Sequence, residues 1–202
     1  MPPDLDHWLD QPQIRVRHRR EADATPAELW RAAQSVRLGD ARRLGRLIRL
    51  RIPGLSPELC FDEMFRAPPF NVLVDTEHTL VSGLVGRIWT IRRDYPRLDS
   101  PQEFRSWSQH GTVRVLFANW VEPGHAAGRA ALVSETRVQA VDRRGRLGLT
   151  AVRPLIASSH QLISREGIQA ALRVLAEIQH APPPKPADAD ADAGSISQAD
   201  GA

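Results

Sequence analysis

Seven histidines, one cysteine and a scatter of carboxylates are the residues of this 202-residue chain that could carry acid–base, nucleophilic or metal chemistry. Their spacing argues against all three. His7, His18, His78, His110, His125, His160 and His180 fall on separate segments, and none forms the H-x-H or H-x-x-x-H pairs that hold a metal. Ser158, Ser159 and His160 stand together as a nucleophile and base would, but serines there read better as the cap of a following helix. Cys60 lies between Leu59 and Phe61 with no nearby histidine, which describes a buried structural thiol. A lone cysteine also excludes an intrachain disulfide and a multi-cysteine zinc site. No G-x-S-x-G elbow, P-loop or dinucleotide fingerprint occurs. No catalytic residue, metal ligand or cofactor is therefore assigned.

The chain offers binding chemistry instead, through alternation. In Thr112 to Val121 the apolar set Val113, Val115, Phe117 and Val121 puts Asn119 on the same face. In 130–141 an inward set of Leu132, Ser134, Thr136 and Val138 places Glu135, Arg137 and Gln139 in water. In 80–91 Arg87 and Trp89 share a side with Val85. An apolar face with a few polar groups is how a small-molecule pocket is lined. The expected ligand-binding residues are Arg87, Trp89, Val115, Phe117, Asn119 and Thr136, with Leu172 and Leu175 from a closing helix. The plainer alternative has Asn119 and Thr136 bonding to backbone or water, and Arg87 pairing with a carboxylate at the rim.

These side chains need strands and a cover. Ile14 to Ala22 reads as a strand, and Thr25-Pro26-Ala27-Glu28 as a capping box with proline at the first helical position. Asp40 to Arg51 reads as a second helix with Arg42, Arg46 and Arg49 along one side. Such a stripe can meet anionic lipid or nucleic-acid phosphate, although a solvated face is the ordinary reading. Ser56-Pro57-Glu58 opens one helical turn. Phe70 to Thr76 and Thr79 to Ile91 read as a hairpin, and Ser100-Pro101-Gln102-Glu103 as a second capping box. Three alternating runs follow, Thr112 to Val121, Gly128 to Asp142 and Arg146 to Ile156, with Asp142-Arg-Arg-Gly145 as the last turn. A helix from about Gln161 to His180 then presents Ile168, Ala171, Leu172, Leu175 and Ile178 on one side.

Composition sets the frame. A chain 42% apolar is enough for one domain with a real core. Residues 1–12 read as a flexible leader, 13–180 as the domain and 181–202 as a disordered acidic tail. The tail holds Lys185 and four aspartates, so it carries −3 and the body +6, with every basic residue of the body an arginine. Arginine recognises phosphate and carboxylate bidentately, but this Arg/Ala/Pro bias more often reflects a GC-rich genome. No signal peptide or membrane span is visible, which makes a cytoplasmic bacterial protein the default.

The order strand, helix, helix, strands, long helix is the helix-grip arrangement. Leu50-Arg-Ile-Pro-Gly54, Gly83-Leu-Val-Gly-Arg-Ile-Trp89, Ser134-Glu-Thr-Arg-Val138 and the passage ending Leu162-Ile163 carry a resemblance to the START-like, or SRPBCC, superfamily, within a bacterial group. It spans roughly residues 14–180 and departs at Val152-Arg153 and Ser158, where group members carry an aromatic pair and a proline. The resemblance implies an α+β fold in which a curved antiparallel sheet wraps a long C-terminal helix, with two short helices after the first strand. It also implies a hydrophobic cavity for a lipid, polyketide or aromatic metabolite. A cyclase or dehydratase on the same scaffold is the alternative, with Arg87, Arg153 and Glu135 as the nearby ionisable groups. An adaptor using the basic second helix is the third reading. The expected partner is a small hydrophobic ligand, with no nucleic acid and weak membrane-surface contact as an option.

Overall fold

The computed structural model describes residues 2–41, 46, 49, 54–90 and 95–180, and within 152–166 the backbone alone. Most of the expected second helix, and all of the acidic tail, lie outside these residues. Five strands form one antiparallel sheet: β1 Ile14–Ala22, β2 Asn71–Thr76, β3 Thr79–Gly86, β4 Val113–Pro123 and β5 Ala130–Ala140. Their order is β1-β5-β4-β3-β2, so β1 and β2 are the edges and β4 is central. Described helices are α1 Pro26–Gln34, α2 Phe61–Arg66, α3 Pro101–Ser106 and α4 Arg143–His180.

Local chemistry explains the short elements. Thr25 Oγ1 accepts from Glu28 N at 3.3 Å while Glu28 Oε2 accepts from Thr25 N at 2.8 Å, the reciprocal pair that starts α1. Ser100 Oγ accepts from Glu103 N at 3.3 Å to start α3, but the glutamate carboxylate reaches back to Asp99 N at 2.8 Å. The turn expected at Ser56 is present, with Leu59 N donating to the Ser56 carbonyl and Glu58 N to Ser56 Oγ, both at 3.2 Å, and α2 starts just after it with Cys60 as the N-cap residue. The second arm of the hairpin ends at Gly86, whose φ of 137° no other residue adopts easily.

The third closing run is not a strand. Arg146 to Ile156 belongs to α4, which is 38 residues long. Leu147 and Leu149 show why alternation misled: in a strand they would share a face, whereas here Leu149 is 4% exposed and Leu147 66% exposed. Helical spacing sends residues two apart to opposite sides. Asp142, expected in a turn, caps this helix by accepting from Gly145 N at 2.7 Å. Further along, Ile168, Ala171 and Leu175 are buried, while Ile178 is 50% exposed and leaves the expected stripe.

Both sides of the sheet are covered. On the outer side Val81, Val85, Leu116, Trp120 and Val133 pack with Phe104 of α3 and with Leu5 and Leu9 from the N-terminal segment. Gly83 lets α3 come close, since a Cβ there would lie 2.6 Å from Phe104 Cδ2. On the inner side, two clusters form. Leu80, Val121 and Leu132 meet Leu29 and Trp30 of α1 and Ile168, Ala171 and Leu175 of α4. Leu84, Val115 and Val138 meet Met64 of α2, Phe70 and Leu149 of α4.

Glu135 and Arg137 are not in water. They point to the outer side and are 1% and 4% exposed. Glu135 accepts from Arg137 Nε at 2.6 Å and pairs with Arg15 Nε at 2.8 Å. Arg137 Nη1 also donates to the Leu9 carbonyl at 2.8 Å and to Asp6, which ties the N-terminal segment to the sheet. Burial works against the Arg137 charge, but the bonds from Glu135 and Asp6 outweigh it and hold its pKa above the ordinary value. A buried charge that is paired on every side is the form in which an interior tolerates one.

Candidate functional site

The inner side of the sheet brings most of the expected ligand-binding residues together. Odd residues of β4 and even residues of β3 and β5 point there, so in register Leu80, Asn119 and Ser134 form one row across β3, β4 and β5, which His18 of β1 extends. Ser82, Phe117 and Thr136 form the next row, extended by Val16. Val115 and Val138 follow.

Burial across these rows is uneven. Leu80, Ser82, Val115, Val121, Leu132, Thr136 and Val138 are buried, yet Phe117, Asn119, Ser134 and His18 in their midst are only half-buried. Four neighbouring side chains on one β1-β5-β4 patch thus keep access to solvent, with buried residues towards β3 and with half-buried Val16 and exposed Arg20 along the β1 edge. The patch lies at the seam between the two inner clusters. α4 contributes Leu149 to one and Ile168 to Leu175 to the other, so its backbone runs from cluster to cluster.

Aromatic side chains form one wall. Phe117 lies 5.3 Å from the Phe65 ring and 5.6 Å from the Phe70 ring, and Phe61 stacks on Phe65 at 6.5 Å. Ser82 Oγ donates to the Phe65 carbonyl at 2.8 Å, which fixes α2 over β3. Phe61 and Phe65 are themselves half-buried. Contacts of this kind favour flat apolar groups, and the amide of Asn119 and the hydroxyl of Ser134 supply donors and acceptors beside them.

The remaining expected residues are placed as follows. Thr136 is fully covered beside Phe117, and Leu175 is buried against α1 with Leu172 half-buried next to it. Trp89 lies past the end of β3, where its ring sits over Gly148 of α4; a Cβ on Gly148 would stand 2.3 Å from the indole. It therefore joins the inner cluster while Val85 joins the outer one, contrary to the parity expected from sequence. Arg87 is exposed and donates from Nε to the Gly111 carbonyl at 3.2 Å, away from the patch. Glu135, a candidate acid for an enzyme on this scaffold, is on the opposite side of the sheet and fully ion-paired. The side chains of Arg153, Ser158, Ser159 and His160 lie outside the described residues.

Sequence reasoning missed His18 and Ser134's partnership with Asn119, although the β1 alternation of Ile14, Val16 and His18 carried the signal. Cys60 is half-buried at the start of α2, and burial pushes its thiol above the ordinary value, away from nucleophilic use. A separate cleft of about 220 Å³ lies beside β2, lined by Arg66, Pro68, Phe70, Asn71, Arg97 and Ser100 among others. Among the described residues no group of histidine, cysteine and carboxylate side chains could hold a metal ion, and no helix is long and apolar enough to cross a membrane.

No family model matches this sequence, and no curated protein sequence is similar to it. Among solved structures, the crystal structure of TTHA0849 from Thermus thermophilus is similar at 13% identity and a TM-score of 0.32, covering 81% of this chain and 98% of that one.

Proposed function

We propose that this chain is a START-like, SRPBCC-type binding protein that holds a small apolar molecule on the inner side of its sheet, under α4. The half-buried patch of Phe117, Asn119, Ser134 and His18 beside buried inner residues of β3, β4 and β5 is the observation that carries the reading. A ligand seated there would stack on Phe117 and the Phe65 wall and direct its polar end to Asn119 and Ser134. Its binding energy would come from apolar area removed from water, on the order of 25 cal/mol per Å². Arg87 and Trp89 serve the rim or the packing of α4 in this reading, not the ligand. Carriage or sensing is the reading put forward, with a reaction on the same scaffold as the alternative. A cytoplasmic setting suits such a carrier.

Native mass spectrometry of freshly purified protein tests the reading. Retained apolar mass, lost on denaturation, is the expected result. Protein that retains none, and that takes up neither a naphthalene-sulfonate dye nor a fatty acid at one site per chain, would make the patch a dent in a packed core.

A further inference from the structure

Several arginines of the described chain are ion-paired. Arg15, Arg19, Arg66, Arg129 and Arg137 each meet a carboxylate. Exposed arginines without a carboxylate partner among the described residues also occur singly, as at Arg20 and Arg105, but around the start of α4 four of them gather: Arg87, Arg143, Arg144 and Arg146. At least two of them converge. Arg87 Nε and Arg144 Cβ would each lie 3.9 Å from a Cβ on Gly111, at the turn into β4. The acid in their midst is Asp142, whose Oδ1 accepts from Gly145 N and whose Oδ2 meets Gly111 N and His110 Nδ1. Asp142 is thereby committed to holding the helix start and the turn together.

The helix adds to the imbalance. The first turn of α4 contains no acidic residue, while aligned peptide dipoles make a helix N-terminus positive by about half an elementary charge. Arg143, Arg144 and Arg146 add like charge where helices ordinarily carry acids, and the capping carboxylate of Asp142 offsets only part of it. Among these arginines Leu147 is 66% exposed, and only Leu147 and Ile178 are large apolar side chains so exposed among the described residues. Leu149 and Gly148 anchor the same turn against the inner cluster and Trp89, which fixes Leu147 outward.

An exposed leucine set among arginines that pair with no carboxylate among the described residues matches a surface that offers anionic headgroups above an apolar layer. A nucleic-acid backbone would engage the arginines but leave Leu147 without a partner. The acidic stretch 181–202 is attached at the far end of α4, about 55 Å from Arg143. We propose that the N-terminal end of α4 docks this protein on an anionic phospholipid surface, with Leu147 entering the headgroup layer and Arg87, Arg143, Arg144 and Arg146 meeting its anions. This patch is distinct from the Arg42, Arg46 and Arg49 stripe and does not depend on the ligand reading.

Co-sedimentation of the full chain with vesicles of phosphatidylcholine and phosphatidylserine in equal parts tests it. Binding should fall with added salt and be absent on phosphatidylcholine alone. The double variant Arg143→Gln/Arg144→Gln should bind roughly 30-fold more weakly, since each arginine near such a surface contributes about 1 kcal/mol. Leu147→Ser should weaken binding several-fold while leaving every arginine in place. All three positions are exposed, so circular dichroism and melting of the variants should match the parent. Absence of vesicle binding, equal binding to phosphatidylcholine vesicles, full binding by the double variant, or tighter arginine-dependent binding to a DNA duplex than to vesicles would each overturn the assignment.

Discussion

On the outer side of β5, Glu135 and Arg137 are sealed from water with every charge paired; on the inner side of the same strand, Ser134 stays half-exposed beside Asn119 and Phe117 of β4. Two neighbouring residues of one strand thus sit in opposite environments. The outer side is closed by short-range devices: α3 lies against Gly83, and Leu5, Leu9 and Asp6 strap the N-terminal segment over the charge network. On the inner side the described side chains pack at two ends, α1 with the C-terminal part of α4 and α2 with the first turns of α4. A buried, fully satisfied ion network specifies one arrangement and tolerates little change. A face with half-buried aromatic and amide groups has surface left to give to a ligand.

The comparison breaks most decisively at Glu135. Glu135→Ala leaves the Arg137 guanidinium buried with Asp6 as its remaining carboxylate and should destabilise the protein by about 3–5 kcal/mol. Replacing both partners with apolar residues, Glu135→Met with Arg137→Leu, should recover most of that loss. Denaturant titration reads both, and a cost for the single variant below about 1 kcal/mol would mean that the network is solvated like a surface pair.

Adjacent residues of β4 supply a matched pair of truncations. Leu116→Ala, on the closed side, should cost about 2–5 kcal/mol and leave dye uptake unchanged. Phe117→Ala should cost less than the 3–5 kcal/mol roughly typical of a buried phenylalanine, because its ring is half-exposed already. It should abolish saturable uptake of a naphthalene-sulfonate dye. Equal stability losses with unchanged uptake would erase the distinction between the two sides.

A smaller effect sharpens the account of how the outer side closes. Gly83→Ala puts a Cβ within 2.6–3.0 Å of Phe104 and Leu73 and should cost about 1–3 kcal/mol. Gly83→Ala combined with Phe104→Leu should regain part of it. Full stability in the single variant would show that α3 can move away without loss.

Much of this was legible in the sequence. The Thr25 and Ser100 signals marked α1 and α3 because capping is local chemistry, and the β4 alternation placed Val115, Phe117 and Asn119 on one face because its period is strict. The strand–helix confusion at Arg146 arose because Leu147, Leu149 and Ala151 alternate with polar or small residues over too few positions to separate a period of 2 from 3.6. Glu135 and Arg137 read as solvated because parity tells which side a residue faces, not whether that side is covered. Their burial depends on Leu5, Leu9 and Asp6, about 130 positions earlier in the chain, and no local pattern reports such a contact.

The mildest test uses acid, and its sign follows from two carboxylates. Glu21, at the end of β1, is lowered from 4.5 to about 2, first by the bond from Arg19 and then by His125. Asp142, at the start of α4, is lowered from 3.8 to about 2, first by Gly145 N and then by His110. A carboxylate held below its unfolded value stabilises the fold fully above that value and loses the contribution as pH falls through the folded one. Melting temperature should therefore hold from neutral pH to about 4.5 and decline from there towards about 2 on account of these groups. Both are solvent-screened, so the decline each causes should be modest. Asp142→Asn keeps an oxygen for Gly145 but sets an amide NH2 against Gly111 N and removes the charge, so it should lower stability modestly at neutral pH while flattening the acid limb. Glu21→Gln should flatten the same limb by loosening the β1 edge of the outer side instead. If neither variant changes the limb, acid is acting through Asp6, which the bond from Arg137 holds below the usual carboxylate range, and the sealed side rather than its rim is the first to yield.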